Sequence, residues 1–197
     1  MAKRFFDLML SSLALMIFGV PMLLLGILIK LDSPGPIFYR QTRVGLKGKK
    51  IKVWKFRTMV QNASELQKQL ESKNEVKGGI LFKIADDPRI TRVGKFIRRY
   101  SLDELPQLFN VFAGEMSLVG PRPLPIRDVE KFEKHHNFRH EVLPGITGLW
   151  QVSGRSDTSS DQVFRLDFEY IENWSLVIDL KIMLKTVQVV FLSKGAY

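Results

Sequence analysis

Leu8-Met9-Leu10-Ser11-Ser12-Leu13-Ala14-Leu15-Met16-Ile17-Phe18-Gly19-Val20-Pro21-Met22-Leu23-Leu24-Leu25-Gly26-Ile27-Leu28-Ile29 is a run of 22 residues without a charge. A straight helix of that length measures roughly 33 Å, enough to cross a bilayer. A cleaved signal peptide fits poorly, because Lys30-Leu31-Asp32-Ser33-Pro34 follows and no small-x-small cleavage site is present. Pro21 lies inside the run, where it removes the hydrogen bond to the Ile17 carbonyl and pushes Val20 from helical geometry. Gly19 and Gly26 soften the same region. Lys3 and Arg4 precede the run, and Arg40, Arg43, Lys47, Lys49, Lys50, Lys52, Lys55 and Arg57 follow it. No acidic residue occurs from Ser33 to Ser64. Positive charge marks the cytosolic side of a membrane, so both flanks belong there. A helix broken at Pro21 and returning to the same face satisfies this, with arms of roughly 13–20 Å. A kinked spanning helix stays open as well, since proline is tolerated in such helices.

The remaining bulk properties narrow the field. The 197 residues suit one continuous functional unit, divided here into a membrane element over 1–32 and a cytosolic domain over 33–197. The absence of cysteine excludes a disulfide framework, a thiolate metal site and a cysteine nucleophile. A net charge of +10 points to polyanionic partners, whether nucleic acid, anionic lipid or a phosphorylated small molecule. Trp54, Trp150 and Trp174 are scattered rather than interleaved with basic residues, which argues against nucleic acid.

Along the domain the expected class is α+β, mostly helical with a small β-hairpin. Ile37 to Tyr39 and Ile51 to Phe56 carry β-branched and aromatic residues alternating with basic ones, and Gly45 and Gly48 mark a loop between them. Short helices are expected at Arg92 to Arg99, Leu102 to Phe112, Arg127 to His140 and Gln162 to Asn173. Leu176 to Leu192 is apolar but carries Asp179, Lys181 and Lys185, so it either buries in the core or lies in the membrane interface as an amphipathic helix. Pro121-Arg122-Pro123 and Pro144-Gly145-Ile146-Thr147-Gly148 read as rigid loops.

Asp103 and Glu104 are the candidate chemical groups. Ser101-Leu102-Asp103-Glu104 matches a capping box, and capping alone would account for it. Arg98 and Arg99 immediately upstream alter the balance, because a phosphate partner needs such cations. A carboxylate at a helix start stays ionised and can attack phosphorus, and adjacent carboxylates suit Mg²⁺. Lys55, Arg57, Arg122 and Arg155 stand in turns or at strand ends, where several together favour a phosphate site over solvated surface cations. Asp167 and Asp179 lie in apolar surroundings, either as helix-surface charges or as partners for these arginines. His135, His136 and His140 lack zinc-site spacing and read as surface residues. No Walker loop, dinucleotide fingerprint or nucleophile elbow is present.

Taken in order, the motifs resemble the bacterial sugar transferase family, the monotopic phosphoglycosyl transferases. The stretches are Lys55-Phe56-Arg57-Thr58-Met59, Asp87-Pro88-Arg89-Ile90-Thr91, Gly94-Lys95-Phe96-Ile97-Arg98, and Ser101-Leu102-Asp103-Glu104-Leu105-Pro106-Gln107-Leu108. Asn110-Val111, Met116-Ser117-Leu118-Val119-Gly120-Pro121-Arg122-Pro123, Pro144-Gly145-Ile146-Thr147-Gly148-Leu149-Trp150-Gln151-Val152 and Gly154-Arg155 follow. The resemblance implies transfer of a sugar-1-phosphate from a UDP-sugar to polyprenyl (undecaprenyl) phosphate, with release of UMP, at the inner membrane of a bacterium. It implies a covalent phosphosugar-aspartate on Asp103, with Glu104 assisting through Mg²⁺. Arg98 would hold a phosphate and Lys55 would support the site, while Arg122 and Arg155 would hold the nucleotide. Asp167 and Asp179 are supporting carboxylates on weaker grounds. The family's re-entrant helix breaks at a proline often preceded by serine; here Val20 precedes Pro21, so no hydroxyl contributes. Membrane lipid is the implied surface, nucleic acid is not a partner, and a homodimer stays open. Against this stand a basic binding module without turnover and a structural partner in an envelope complex, in which Asp103 is only a cap.

Overall fold

The computed structural model describes residues 2–63, 65–66, 87–153 and 160–191. The apolar run becomes α1, Ala2–Asp32, which continues as helix through Pro21. One lost hydrogen bond in a long apolar helix is bridged by its neighbouring turns, so the break expected at Pro21 does not appear as a gap. Among the described residues α1 is the one helix long and apolar enough to cross a membrane.

What changes along α1 is contact with the rest of the chain. At its start, Lys3 Nζ donates to Asp179 Oδ2 at 2.6 Å, and Arg4 donates to the carbonyls of Val111 and Phe112 at 2.5 and 2.8 Å. Asp7 Oδ1 accepts from Ser117 Oγ and the Leu118 amide, both at 3.0 Å. At its end, Met22, Leu25 and Ile29 are buried with Phe56 and Ile97, each contributing roughly 1.5–3 kcal/mol of apolar burial. Asp32 Oδ2 accepts from the Val93 amide at 3.2 Å. Between these two anchorages, residues 16–21 are all exposed. Six consecutive positions cover more than a turn and a half, so every face of the helix there stands clear of the domain.

The expected hairpin is present. β1, Phe38–Val44, pairs antiparallel with β2, Lys50–Phe56, from Phe38 opposite Phe56 to Val44 opposite Lys50. A 3₁₀ turn over Leu46–Gly48 closes it. Arg40 stacks on the Trp54 ring across the strands, 3.7 Å from its centre.

Helix α2, Arg92–Arg99, is capped by the Thr91 hydroxyl, which accepts from the Gly94 amide at 3.0 Å. Gly94 allows close approach to the hairpin's exit: a Cβ there would lie 2.2 Å from the Thr58 carbonyl oxygen. Helix α3, Gln107–Ala113, follows, and Asn110 ties it to β2 by accepting from the Trp54 amide at 3.0 Å and donating to the Lys52 carbonyl at 2.8 Å. A second, parallel strand pair joins β3, Ser117–Val119, to β4, Gly145–Thr147, where loop alone was expected. The backbones meet there because Gly145 has no side chain; a Cβ would lie 2.1 Å from the Gly120 nitrogen.

The polar stretch after Pro125 is not one helix. It forms the short α4, Ile126–Val129, then a 3₁₀ segment over Lys134–Glu141. His140 in that segment is buried, contrary to the surface role expected of it, and burial together with Arg139 lowers its pKa to about 4. Helices α5 (Leu149–Ser153), α6 (Ser160–Glu172) and α7 (Leu176–Phe191) complete the domain. Ile182 of α7 packs with Val119 and Tyr170, while Val177, Leu180, Leu184, Val187 and Phe191 are exposed. Thus α7 both buries a face and leaves an apolar face outside.

Candidate active site

Asp103 and Glu104 lie in a short 3₁₀ turn, Leu102–Glu104, between α2 and α3. The continuous helix expected from Leu102 does not form. Ser101 takes a left-handed conformation at φ 55° and makes no side-chain capping bond. The capping-box arrangement is therefore not realised, and the Glu104 carboxylate is directed elsewhere. Asp103 likewise owes nothing to the dipole of a long helix; its electrostatic partners are side chains.

The central partner is Lys55, near the end of β2. Its Nζ donates to Asp103 Oδ2 at 3.2 Å and to Glu104 Oε1 at 2.7 Å. Arg122 forks onto the other side of Glu104: Nη1 donates to Oε2 at 3.1 Å, and Nη2 to Oε1. Burial pushes the Glu104 carboxyl up, but Arg122 and Lys55 outweigh it and hold the carboxyl well below its usual range. Burial likewise lowers Arg122, and Glu104 more than reverses this and raises it. Glu104 is thus a fixed anion between two cations. The Asp103 side chain keeps 10% of its exposure, and its bond to Lys55 falls on Oδ2.

Arg98 stands at the edge of this group. Its Nε donates to Thr58 Oγ1 at 2.9 Å. Burial lowers its pKa, opposed by the charges of Asp103 and Asp87. Four of the residues singled out from sequence, Lys55, Asp103, Glu104 and Arg122, are therefore in direct contact, with Arg98 close by. Arg155 lies outside the described residues, as does most of the stretch from Gln61 to Ala85.

Three others do different work. Arg57, read from sequence as a phosphate ligand, turns to the end of α1 instead. It donates to the carbonyls of Pro34, Ser33 and Ile29 at 2.5, 2.6 and 3.2 Å. The last carbonyls of a helix lack partners, and a buried guanidinium supplies them. Asp179 binds Lys3, Tyr170 and Trp174, so it fastens the start of α1 rather than the carboxylate pair. Asp167 pairs with Arg139 at 2.7 and 3.0 Å, with both side chains 1% exposed. Burial pushes Asp167 up to about 6 against the pull of Arg139. Sequence reasoning passed over Arg139 and Arg43, since a lone basic residue in a polar segment resembles a solvated one. The available signal was Asp167, an acid in an apolar helix that demands a cation.

A long apolar helix bonded to the domain at both its ends and an acid pair held among cations suit the class of membrane-associated transferases. The chain belongs to the bacterial sugar transferase family, whose model matches residues 1–193. Galactosyl transferase CpsE of Streptococcus agalactiae is 45% identical over 99% of this chain and 43% of its own length. Exopolysaccharide production protein ExoY of Rhizobium meliloti is 42% identical over 100% of this chain and 88% of its own length. UDP-glucose:undecaprenyl-phosphate glucose-1-phosphate transferase of Escherichia coli is 42% identical over 99% of this chain and 41% of its own length. The chain thus spans less than half the length of some of its curated relatives and most of another.

Proposed function

We propose that this protein transfers a sugar-1-phosphate from a UDP-sugar to undecaprenyl phosphate, releasing UMP, in an early membrane step of bacterial polysaccharide synthesis. The observation that carries the reading is the contact of Asp103 and Glu104 with a single ammonium, Lys55, while Arg122 fixes Glu104. Such an arrangement separates two roles for adjacent acids. Glu104 is a permanent counter-charge that orients Lys55 and Arg122. Asp103, bonded among the described residues on Oδ2 alone while both Glu104 oxygens are taken, is the acid with an oxygen left for a substrate.

Asp103 attacks the phosphorus that carries the sugar, and the bond from that phosphorus to the bridging oxygen breaks, so UMP leaves with that oxygen. An oxygen of undecaprenyl phosphate then attacks the same phosphorus, breaks the bond to aspartate and restores the carboxylate. Lys55 and Arg122 provide positive charge beside the transferring group, and Arg98 a further cation towards the α1 end of the site. For Mg²⁺ the residues fit through Asp103: magnesium commonly takes one or two carboxylates together with substrate phosphates. Both Glu104 oxygens already accept from cations, which argues against Glu104 as a second ligand. When bound, the ion would offset the diphosphate's charge. Arg155 and the nucleotide remain paired by resemblance alone.

In this reading α1 is re-entrant and the domain faces the cytosol. Both ends of α1 are bonded to one body, and the stretch clear of it, residues 16–21, ends at Pro21. A spanning helix would carry one end across the bilayer from its partners. The exposed faces of α1 and α7 would lie against lipid.

The test incubates the purified protein with Mg²⁺, undecaprenyl phosphate and a panel of UDP-sugars, and measures UMP. One donor should give turnover, and Asp103→Asn should abolish it. No UMP from any donor would refute the reading, and an active Asp103→Asn would remove Asp103 as nucleophile. Tags at both termini should be protected in intact cells; an externally accessible N-terminus would rule out the re-entrant form.

A further inference from the structure

Four successive carbonyls, from Pro121 to Leu124, are each held by a different donor. The Gly145 amide donates to Pro121 O at 3.0 Å, and the Val44 amide to Leu124 O at 3.0 Å. The two between are held by guanidinium groups: Arg139 Nη2 donates to Arg122 O at 2.8 Å, and Arg43 Nη1 to Pro123 O at 2.6 Å. Each guanidinium is itself oriented. Arg139 is held by Asp167, and Arg43 by Gln41 Oε1, which accepts from its Nη2 at 2.9 Å and its Nε at 3.2 Å.

We propose that Arg43 and Arg139 are positioning residues that set the backbone of the Pro121-Arg122-Pro123 turn, so that Arg122 meets Glu104 in a two-pronged geometry. The inference rests on the transferase reading for its consequence in catalysis, though the contacts are independent of it. A forked guanidinium–carboxylate pair requires both groups to share a plane, so its strength depends on backbone placement more than a point charge would. Prolines on both sides fix φ but have no N–H, so Arg122 alone of the three offers an amide to tie the turn down. Arginines from β1 and from the 3₁₀ segment do that instead. A chain of contacts then runs from Asp167 through Arg139, the Arg122 backbone, Glu104 and Lys55 to Asp103. Arg43 also feels Arg122 directly: burial of its guanidinium and the like charge of Arg122 lower its pKa to about 10. Such an arrangement is justified where two cations must be kept close together for an anionic ligand.

The experiment compares the wild type, Arg43→Met, Arg122→Met and the double variant for kcat/KM in UMP release, with Arg43→Lys as the conservative control. Arg43→Met is expected to lose about tenfold to a hundredfold, the scale of small misplacements of catalytic groups. In the Arg122→Met background the same change should cost less than about threefold, because its target is gone. Lysine should restore most of the rate, since it can still reach the Pro123 carbonyl. Equal losses in both backgrounds would assign Arg43 a general structural role and overturn the proposal. Amide hydrogen exchange gives a readout that needs no turnover. The Val44 and Gly145 amides should exchange faster in Arg43→Met while those of α6 are unchanged. Unaltered protection at both would overturn the proposal even if the wild type proved inactive, an outcome that would separately refute the transferase reading.

Discussion

Replacing Arg57 by methionine separates two accounts of the same residue. As a phosphate ligand it would govern donor affinity; as the cap of α1 it governs the joint between membrane helix and domain. Its guanidinium donates to three carbonyls, two of them at 2.5 and 2.6 Å and the third at 3.2 Å. Hydrogen bonds to a charged group contribute about 1.5–3 kcal/mol each, net of water. Pro34 is exposed and Ser33 half-buried, so water recovers part of the loss and the lower end applies. The longest bond adds least. The expected cost is about 3 kcal/mol, or a fall in Tm of about 6–12 °C for a chain of this size. Thermal unfolding in detergent measures it, and steady-state kinetics on the surviving enzyme should give a donor KM within about threefold of wild type, because Arg57 makes no contact with Asp103 or Glu104. A Tm within 2 °C of wild type, roughly 0.5–1 kcal/mol, together with a tenfold rise in KM would refute the reasoning.

Other outcomes follow from the same geometry. Lys55→Met removes the ammonium shared by both acids and should lower kcat by about 10²–10³-fold, read from UMP release; a loss below tenfold would make Lys55 incidental. Gly94→Ala places a Cβ 2.2 Å from the Thr58 carbonyl oxygen, so α2 must shift and stability should fall by about 2–3 kcal/mol; wild-type melting would mean the approach is looser than it stands here. Two acids should move stability with pH in opposite directions. Glu104 is held below its ordinary value, so its stabilisation is present above about pH 4.3 and drains away as pH falls through the lower folded value. Asp167 is raised, so its contribution is present below about pH 3.9 and is lost as pH rises through about 6. Urea titrations of Glu104→Gln and Asp167→Asn against wild type should diverge from it at opposite ends of the range, and parallel curves would contradict both assignments.

Much of the fold was legible where periodicity is strong. The hairpin follows from alternation in Ile51 to Phe56, and α2 from the short basic stretch Arg92 to Arg99. The short parallel pair was not, because three-residue strands held together by glycine contacts leave no pattern to read. Ser101 misled for a definite reason. Ser-x-x-Glu is a capping pattern only if serine is extended, and here it is left-handed, which frees Glu104 for Arg122. The core of the site was legible because charge at rigid turns is conspicuous. Arg57 meets the carbonyls of Ile29, Ser33 and Pro34 instead, since sequence position fixes neither the direction of a long side chain nor the groups it meets. Arg139 and Arg43 were harder to read because the carbonyls they hold, those of Arg122 and Pro123, carry no residue identity; Asp167 was the one signal for Arg139.

The anchorage of α1 at its start sets a timetable for biosynthesis. Lys3 leaves the ribosome 176 residues before its partner Asp179, an interval of about 10–35 s at ordinary elongation rates. Arg4 and Asp7 wait for Val111, Phe112, Ser117 and Leu118, and Met22, Leu25 and Ile29 wait for Phe56 and Ile97. In the proposed membrane setting, lipid shelters the helix first, and the domain then closes on a template already seated there. Deleting α1 would therefore leave a half-built interior rather than a soluble enzyme.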